Sequence, residues 1–304
     1  MSLQSLKRQS VAIVGLGSIG GIAAATLADA GRHDVVGCAR RPLERLVLEM
    51  PRTVAPPLRI LSDPAAAAPV DWVLLVTKAQ DTAAAAPWLE RLCTPATRVA
   101  VLQNGIGHVD RVAPFASGAT IVPAIVYYNG ERLAPDRVRL TYVSDHELAV
   151  PDDASGRAFA ALMEGTALRV RPSADFVTLQ WRKLLLNVVA NPITALTLQR
   201  QVVLRRPDIY AFGLDLLAET VAVARADGAR FDADEPKRAM EVLMTYGPEL
   251  GTSMYFDRLA GRHFEIDALN GAVVAAGERH GIPTPLNRML VALLRAIDDT
   301  QDGG

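Results

Sequence analysis

Short apolar runs alternate with longer helical patterns through the first half of the chain. Val11, Ala12, Ile13 and Val14 form an unbroken apolar run that predicts a buried strand, and 19–30 reads as a helix of small residues stopped by Gly31. Further strands are predicted over 34–39, 58–61, 71–77 and 98–102, with a helix over 82–92. Strands alternating with helices imply a parallel sheet joined by right-handed crossovers. The stretch 120–126 is extended too, but Pro123 cannot donate to a ladder and argues against a central position. Segments 138–143 and 147–150 are predicted as later, partly antiparallel strands, and the alanine run 65–68 as a short helix or loop.

From about Phe176 the pattern changes to helices, predicted over 176–199, 207–227, 235–246, 264–279 and Pro285–Asp298. The last has Thr284 as N-cap and Pro285 at its first position. No strand is predicted after Val170. The pattern therefore predicts an α/β domain over residues 1–172 and an all-helical domain over residues 173–304, with the handover at 171–173.

A length of 304 residues fits two domains, and 50% hydrophobic with 21% charged residues is ordinary for a globular protein. The net charge of −1 gives no global attraction for nucleic acid or anionic lipid, and no basic stripe with interleaved aromatics supports a nucleic-acid partner. Cys38 and Cys93 stand alone without metal spacing, so no metal site is expected and a reducing compartment is. Residues 1–10 are polar and too short for a signal peptide, and no apolar run reaches membrane-spanning length. The expectation is a cytoplasmic protein.

The segment V-A-I-V-G-L-G-S-I-G-G sets Gly15, Gly17 and Gly20 between a strand and a helix opened by Ser18 and Ile19. Gly15 permits a tight turn, Gly17 lets backbone approach a diphosphate, and Gly20 lets helix and sheet pack closely. The helix N-terminus presents N–H groups and a positive dipole end to phosphate. Such a turn also occurs without a ligand, but here strand, helix and second strand are all in place, which favours a Rossmann-type dinucleotide site. At the end of the second strand an NAD site carries an acid; this chain reads Cys38, Ala39, Arg40, Arg41. A guanidinium pairs with a 2′-phosphate, so NADP is favoured, the alternative being two solvated arginines.

Two more loops follow strand ends, T-K-A-Q with Lys78 and Q-N-G with Asn104. Open α/β sheets bind ligands at strand carboxyl ends, which makes both residues candidate contacts, against solvation for Lys78 and turn chemistry for Asn104. In W-R-K-L-L-L-N-V-V-A-N-P, Lys183, Asn187 and Asn191 are spaced i, i+4, i+8 and share one side of a helix whose other sides are apolar. Buried amides and an ammonium need partners, and a ligand with carboxylate, keto and hydroxyl oxygens would satisfy them, as would an interhelical network. Pro192 is expected to kink or end that helix, and Trp181 to anchor the core. Ser253 is a candidate donor to a carboxylate, while Glu265 and Asp267 are expected to open a helix, where acids favour the dipole end. His263 has no visible partner and is expected at the surface.

Together these pieces resemble the ketopantoate reductase family (2-dehydropantoate 2-reductases): G-L-G-S-I-G, C-A-R, T-K-A-Q, Q-N-G-I-G, W-R-K-L-L-L-N-V-V-A-N-P, T-S-M and F-E-I-D-A-L-N-G follow the family's order over nearly the whole chain. The resemblance implies a Rossmann domain plus a helical domain of the 6-phosphogluconate-dehydrogenase C-terminal type, with the active site in a cleft. It implies NADPH-dependent reduction of 2-dehydropantoate to (R)-pantoate, toward pantothenate and coenzyme A. It further implies Lys183 as proton donor with Glu265 as catalytic partner, Asn187, Asn191 and Ser253 as substrate contacts, Lys78 and Asn104 as cofactor and substrate contacts, and Arg40 as the 2′-phosphate ligand. The stretch N-G-E-R-L-A-P-D-R-V-R-L-T-Y departs from the family's glycine-containing hairpin, which leaves the geometry there open. The rivals are a related NADPH reductase of another small keto acid and a non-catalytic NADP-binding sensor; the sensor predicts erosion of Lys183, Asn187, Asn191, Ser253 or Glu265, and none is eroded. Apolar late helices suit a core or a homodimer surface equally.

Overall fold

Strand β1 (Ser10–Val14) turns at once into α1 (Ser18–Ala30), which Gly31 ends in the left-handed conformation, φ 65°. β2 (Asp34–Cys38), the short strands β3 (Val47–Glu49) and β4 (Thr53–Val54), and β5 (Arg59–Leu61) follow. Then come β6 (Trp72–Leu75), α2 (Ala86–Leu92), β7 (Arg98–Val101), α3 (His108–Val112) and β8 (Thr120–Pro123). This computed structural model describes residues 8–300; most of the polar N-terminal stretch 1–10 lies outside the described residues.

Six strands form one parallel sheet in the order β5-β2-β1-β6-β7-β8. Its strands alternate side chains between two cores: Val11, Ile13, Leu74 and Ala100 face one layer, Ala12, Val14, Val73 and Val99 the other. β8 sits at the sheet edge and ends on Pro123, where the missing donor costs nothing. The helix predicted over 82–92 is shorter than expected: 3₁₀ turns occupy Ala79–Asp81 and Ala83–Ala85, and the α-helix starts with Pro87 in its first turn.

Beyond the sheet come β9 (Ile125–Val126), the hairpin β10 (Asn129–Ala134) and β11 (Arg137–Thr141), and β12 (Leu148–Pro151). The hairpin is antiparallel, and β11 runs parallel to β3 in a second sheet ordered β10-β11-β3-β4. α4 (Ala154–Leu162) was not expected; Asp153 caps it by accepting from Gly156 N at 2.7 Å. β13 (Val170–Ser173) is a strand that the sequence did not predict, pairing parallel to β12 at the edge of a three-stranded sheet, where Pro172 is tolerated.

The helices of the second half are α5 (Phe176–Thr197), α6 (Pro207–Ala226), α7 (Glu235–Thr245), α8 (Ser253–Leu259), α9 (Asn270–His280) and α10 (Pro285–Asp298). Among the described residues the chain divides into two units, one running to Gln103 and from His108 to Phe176, the other taking Asn104–Gly107 and everything from Val177. The helical unit has its own core around Trp181, Leu184, Leu185, Val188, Leu217 and Val273, with Trp181 Nε1 donating to Asp227 Oδ2 at 3.0 Å.

Pro192 does not end its helix. Lacking an N–H, it leaves the carbonyl four residues back, Val188 O, without its helical donor, and Asn270 Nδ2 fills the vacancy at 3.1 Å. Thr284 sits at the N-cap of α10, yet its hydroxyl makes no hydrogen bond to any described residue; Glu219 caps the helix instead, accepting from Leu286 N and Asn287 N at 2.9 Å each. The expected helix over 264–279 begins only at Asn270, because Phe264, Ile266 and Leu269 bury their side chains from a turn rather than from a helical face.

Candidate active site

Three glycines shape the turn between β1 and α1. Gly15 adopts φ +98°, and a Cβ there would meet Thr77 N at 2.9 Å. At Gly20 a Cβ would fall 1.9 Å from Gly15 O, so no side chain fits. Gly17 differs: a Cβ built on it meets nothing within 4 Å and would project into open space. Gly17 is also the N-cap of α1, with no capping side chain and no acid in the first turn, where Ser18 and Ile19 lie. A turn closed on its inner side and bare at Gly17 and the helix end fits the diphosphate of a dinucleotide.

β2 ends in buried Cys38 and Ala39, followed by Arg40 and Arg41, both exposed. Lys78 begins the loop after β6, half-buried. The buried amide of Gln103 braces that loop, donating to Thr77 Oγ1 at 3.1 Å, Thr82 Oγ1 at 3.0 Å and Lys78 O at 3.4 Å, while Arg111 Nε donates to its Oε1 at 3.1 Å. This brace was not read from the sequence, although Gln103 opens the Q-N-G motif.

The helical unit assembles the second cluster. Lys183 on α5 donates from Nζ to Asn104 Oδ1 at 3.3 Å, and Asn104 Nδ2 donates to Glu265 Oε2 at 3.0 Å. The amide thus offers its acceptor to the ammonium and its donor to the carboxylate, as each charge requires. Gly105 makes the approach possible: at φ +88° its backbone lies so near the turn before α9 that a Cβ would stand 1.9 Å from Ala268 O. Gln180, one turn from Lys183, holds the same segment by donating to Gly105 O at 3.4 Å. Glu265 is 4% exposed and lies in irregular backbone five residues before α9, so helix-start electrostatics do not account for it. Desolvation brings the Lys183 pKa down from the ordinary lysine value to about 8, with the Glu265 charge opposing the fall.

Asn187 and Asn191 continue the same stripe on unbroken helix, the latter 4% exposed, and neither carboxamide bonds to another described residue. Ser253 is exposed at the first position of α8. Its neighbour Thr252 caps that helix through Tyr255 N at 3.1 Å and bonds Thr194 Oγ1 at 2.7 Å, which moors Ser253 to the Asn191 end of α5. His263 is half-exposed and is paired, its Nδ1 lying 3.1 Å from Asp298 Oδ2. No group of three or more His, Cys, Asp or Glu residues able to hold a metal occurs among the described residues.

Two family models match, ketopantoate reductase PanE/ApbA over residues 11–152 and its C-terminal counterpart over residues 175–298. The chain belongs to the ketopantoate reductase family. Within that family it is 40% identical to a 2-dehydropantoate 2-reductase of Caulobacter vibrioides over 288 residues, covering 94% of this chain and 98% of the relative. A PanE/ApbA family ketopantoate reductase from Ralstonia eutropha superposes with a TM-score of 0.86 at 32% identity, covering 96% of this chain and 99% of that one. A dimeric ketopantoate reductase from Staphylococcus aureus gives 0.84 at 26% identity, over 96% and 99% of the two chains.

Proposed function

We propose that this chain is a 2-dehydropantoate 2-reductase that uses NADPH, with Lys183 as the group that protonates the keto oxygen. The observation that carries the reading is the array Lys183, Asn104, Glu265, in which a desolvated ammonium with a pKa of about 8 is held by a bridging amide. An ammonium of that acidity both stabilises negative charge developing on the keto oxygen and gives up a proton near neutral pH. The nicotinamide cofactor, when bound, supplies the reducing equivalents at the keto carbon.

The remaining residues bind and orient. Asn187, Asn191 and Ser253 present two unused carboxamides and a hydroxyl along α5 and α8, suited to the substrate's carboxylate and hydroxyl oxygens. Glu265 acts through Asn104, keeping Lys183 more basic than burial alone would leave it. The glycine turn at Gly15, Gly17 and Gly20, with Ser18 and Ile19 at the helix start, holds the diphosphate, and Arg40 the 2′-phosphate. The choice of NADPH over NADH rests on Arg40 and on the lack of an acid at the end of β2. Lys78 is a contact to cofactor or substrate.

Two copies associating is part of the same reading: Met289 and Leu293, one turn apart on α10, leave an apolar stripe exposed. Buried, unpaired Cys38 and Cys93 suit a reducing, cytoplasmic setting. No helix among the described residues is long and apolar enough to cross a membrane. The test is turnover of the Lys183→Ala enzyme, expected to fall about 10²-fold or more with 2-dehydropantoate and NADPH. Near-wild-type kcat removes Lys183 from the chemistry, and a clear preference for another acid in a panel of 2-keto acids replaces the substrate.

A further inference from the structure

The hairpin β10–β11 packs on the glycine turn. Tyr128, buried just before β10, donates from its hydroxyl to Ile19 O at 3.0 Å. Gly130 lies so close to the start of α1 that a Cβ there would meet Ser18 C at 3.1 Å. Two residues on, Arg132 extends its guanidinium to the carbonyl of Leu16, the residue between Gly15 and Gly17.

The hairpin's other arginines are neutralised by carboxylates: Arg137 bonds Glu49 at 2.9 Å, and Arg139 bonds Glu49 at 2.9 Å and Glu131 at 3.1 Å. Asp136 at the hairpin tip pairs with Arg45 at 2.9 Å. Arg132 has no carboxylate partner among the described residues, and partial burial lowers its pKa below the ordinary guanidinium value. One N–H to a neutral carbonyl leaves most of its five donors, and its whole charge, without a counterpart. Arg132 is exposed, so its remaining donors are accessible, and a phosphate accepting two parallel N–H bonds matches that charged fork better than any neutral group.

We propose that Arg132 is a further ligand of the dinucleotide, anchored on Leu16 O so that its free donors meet the diphosphate at the glycine turn. The proposal rests on the reading that this turn holds the cofactor. The arginine comes from the hairpin and the backbone donors from the turn and the start of α1, so the two would share the diphosphate.

Calorimetric titration of the full chain with two fragments separates the contributions. 2′-Phospho-ADP-ribose carries the diphosphate; 2′-AMP carries the adenine ribose and 2′-phosphate without it. In Arg132→Met the first is expected to bind about 10- to 100-fold more weakly, the range of a charge-assisted hydrogen bond, with 2′-AMP within twofold of wild type. Arg132→Lys, which keeps the charge but not the fork, is expected to recover part of the loss and guards against misfolding of the methionine variant. Unchanged 2′-phospho-ADP-ribose affinity in both variants reduces Arg132 to a clasp on Leu16. Equal weakening of both fragments means that it only orders the turn. Failure of both fragments to bind the wild-type chain overturns the dinucleotide reading itself, a distinct result.

Discussion

Replacing Glu265 by Gln removes a charge that holds the Lys183 pKa up while keeping a group that Asn104 can bond. The path from Nζ through the Asn104 amide to Oε2 comprises hydrogen bonds of 3.3 and 3.0 Å. With the width of an amide between them, the charges are separated by no more than about 8.5 Å. At an effective dielectric constant of about 20, two unit charges at that distance attract by about 2 kcal/mol, or roughly 1.4 pKa units. The sign follows from the chemistry: the carboxylate stabilises the ammonium, so losing it makes Lys183 more acidic. With Lys183 in its proposed role as the protonated acid, kcat/KM should fall as pH rises through its pKa, near 8 in the native enzyme. In Glu265→Gln this alkaline limb should move down by about one and a half units or more. The assay is NADPH oxidation under kcat/KM conditions from about pH 5.5 to 10, with the position of the limb read separately from its height. A limb that stays near 8, or moves up, refutes the electrostatic coupling even if the rate collapses.

Arg40→Glu should weaken NADPH about 100-fold while sparing NADH, by placing a carboxylate against the 2′-phosphate; fluorescence titration with both cofactors checks it, and parallel losses contradict the assignment. Gly105→Ala should lower kcat about 10²-fold, since the new Cβ would stand 1.9 Å from Ala268 O and must push Asn104 off its two partners; stopped-time assays with unchanged kcat would exclude that. Glu219→Ala should destabilise the chain by about 1–2 kcal/mol in urea, by removing the acceptor for two N-terminal N–H groups of α10; a change within error would mean that water serves as well.

Apolar runs exposed the parallel strands, glycine spacing the turn, and polar recurrence the stripe of α5, because each is a local pattern with a fixed spacing. Pro123 even marked its strand as an edge. β10 was missed for the opposite reason: N-G-E-R-L-A exposes or half-exposes every residue and shows no alternation. β3 and β4, of three and two residues, are too short for any period to register. Pro192 misled because the remedy for its missing hydrogen bond comes from Asn270, far along the chain. The polar stripe made Lys183 a candidate and the family resemblance made Glu265 one, but no spacing rule connects Asn104 to both. That link depends on Gly105 meeting the turn at Ala268, a tertiary contact.

The four-residue strip Asn104–Gly107, stitched into the helical unit although covalently surrounded by the other, makes that unit discontinuous. During synthesis Asn104 emerges long before its carboxylate partner 161 positions downstream. Bringing such distant ends together carries an entropic toll that local helix formation does not repay, so catalytic competence should be among the last properties gained on refolding. A fragment cut at the start of α5 would carry the ammonium and the acid yet leave behind the amide that joins them.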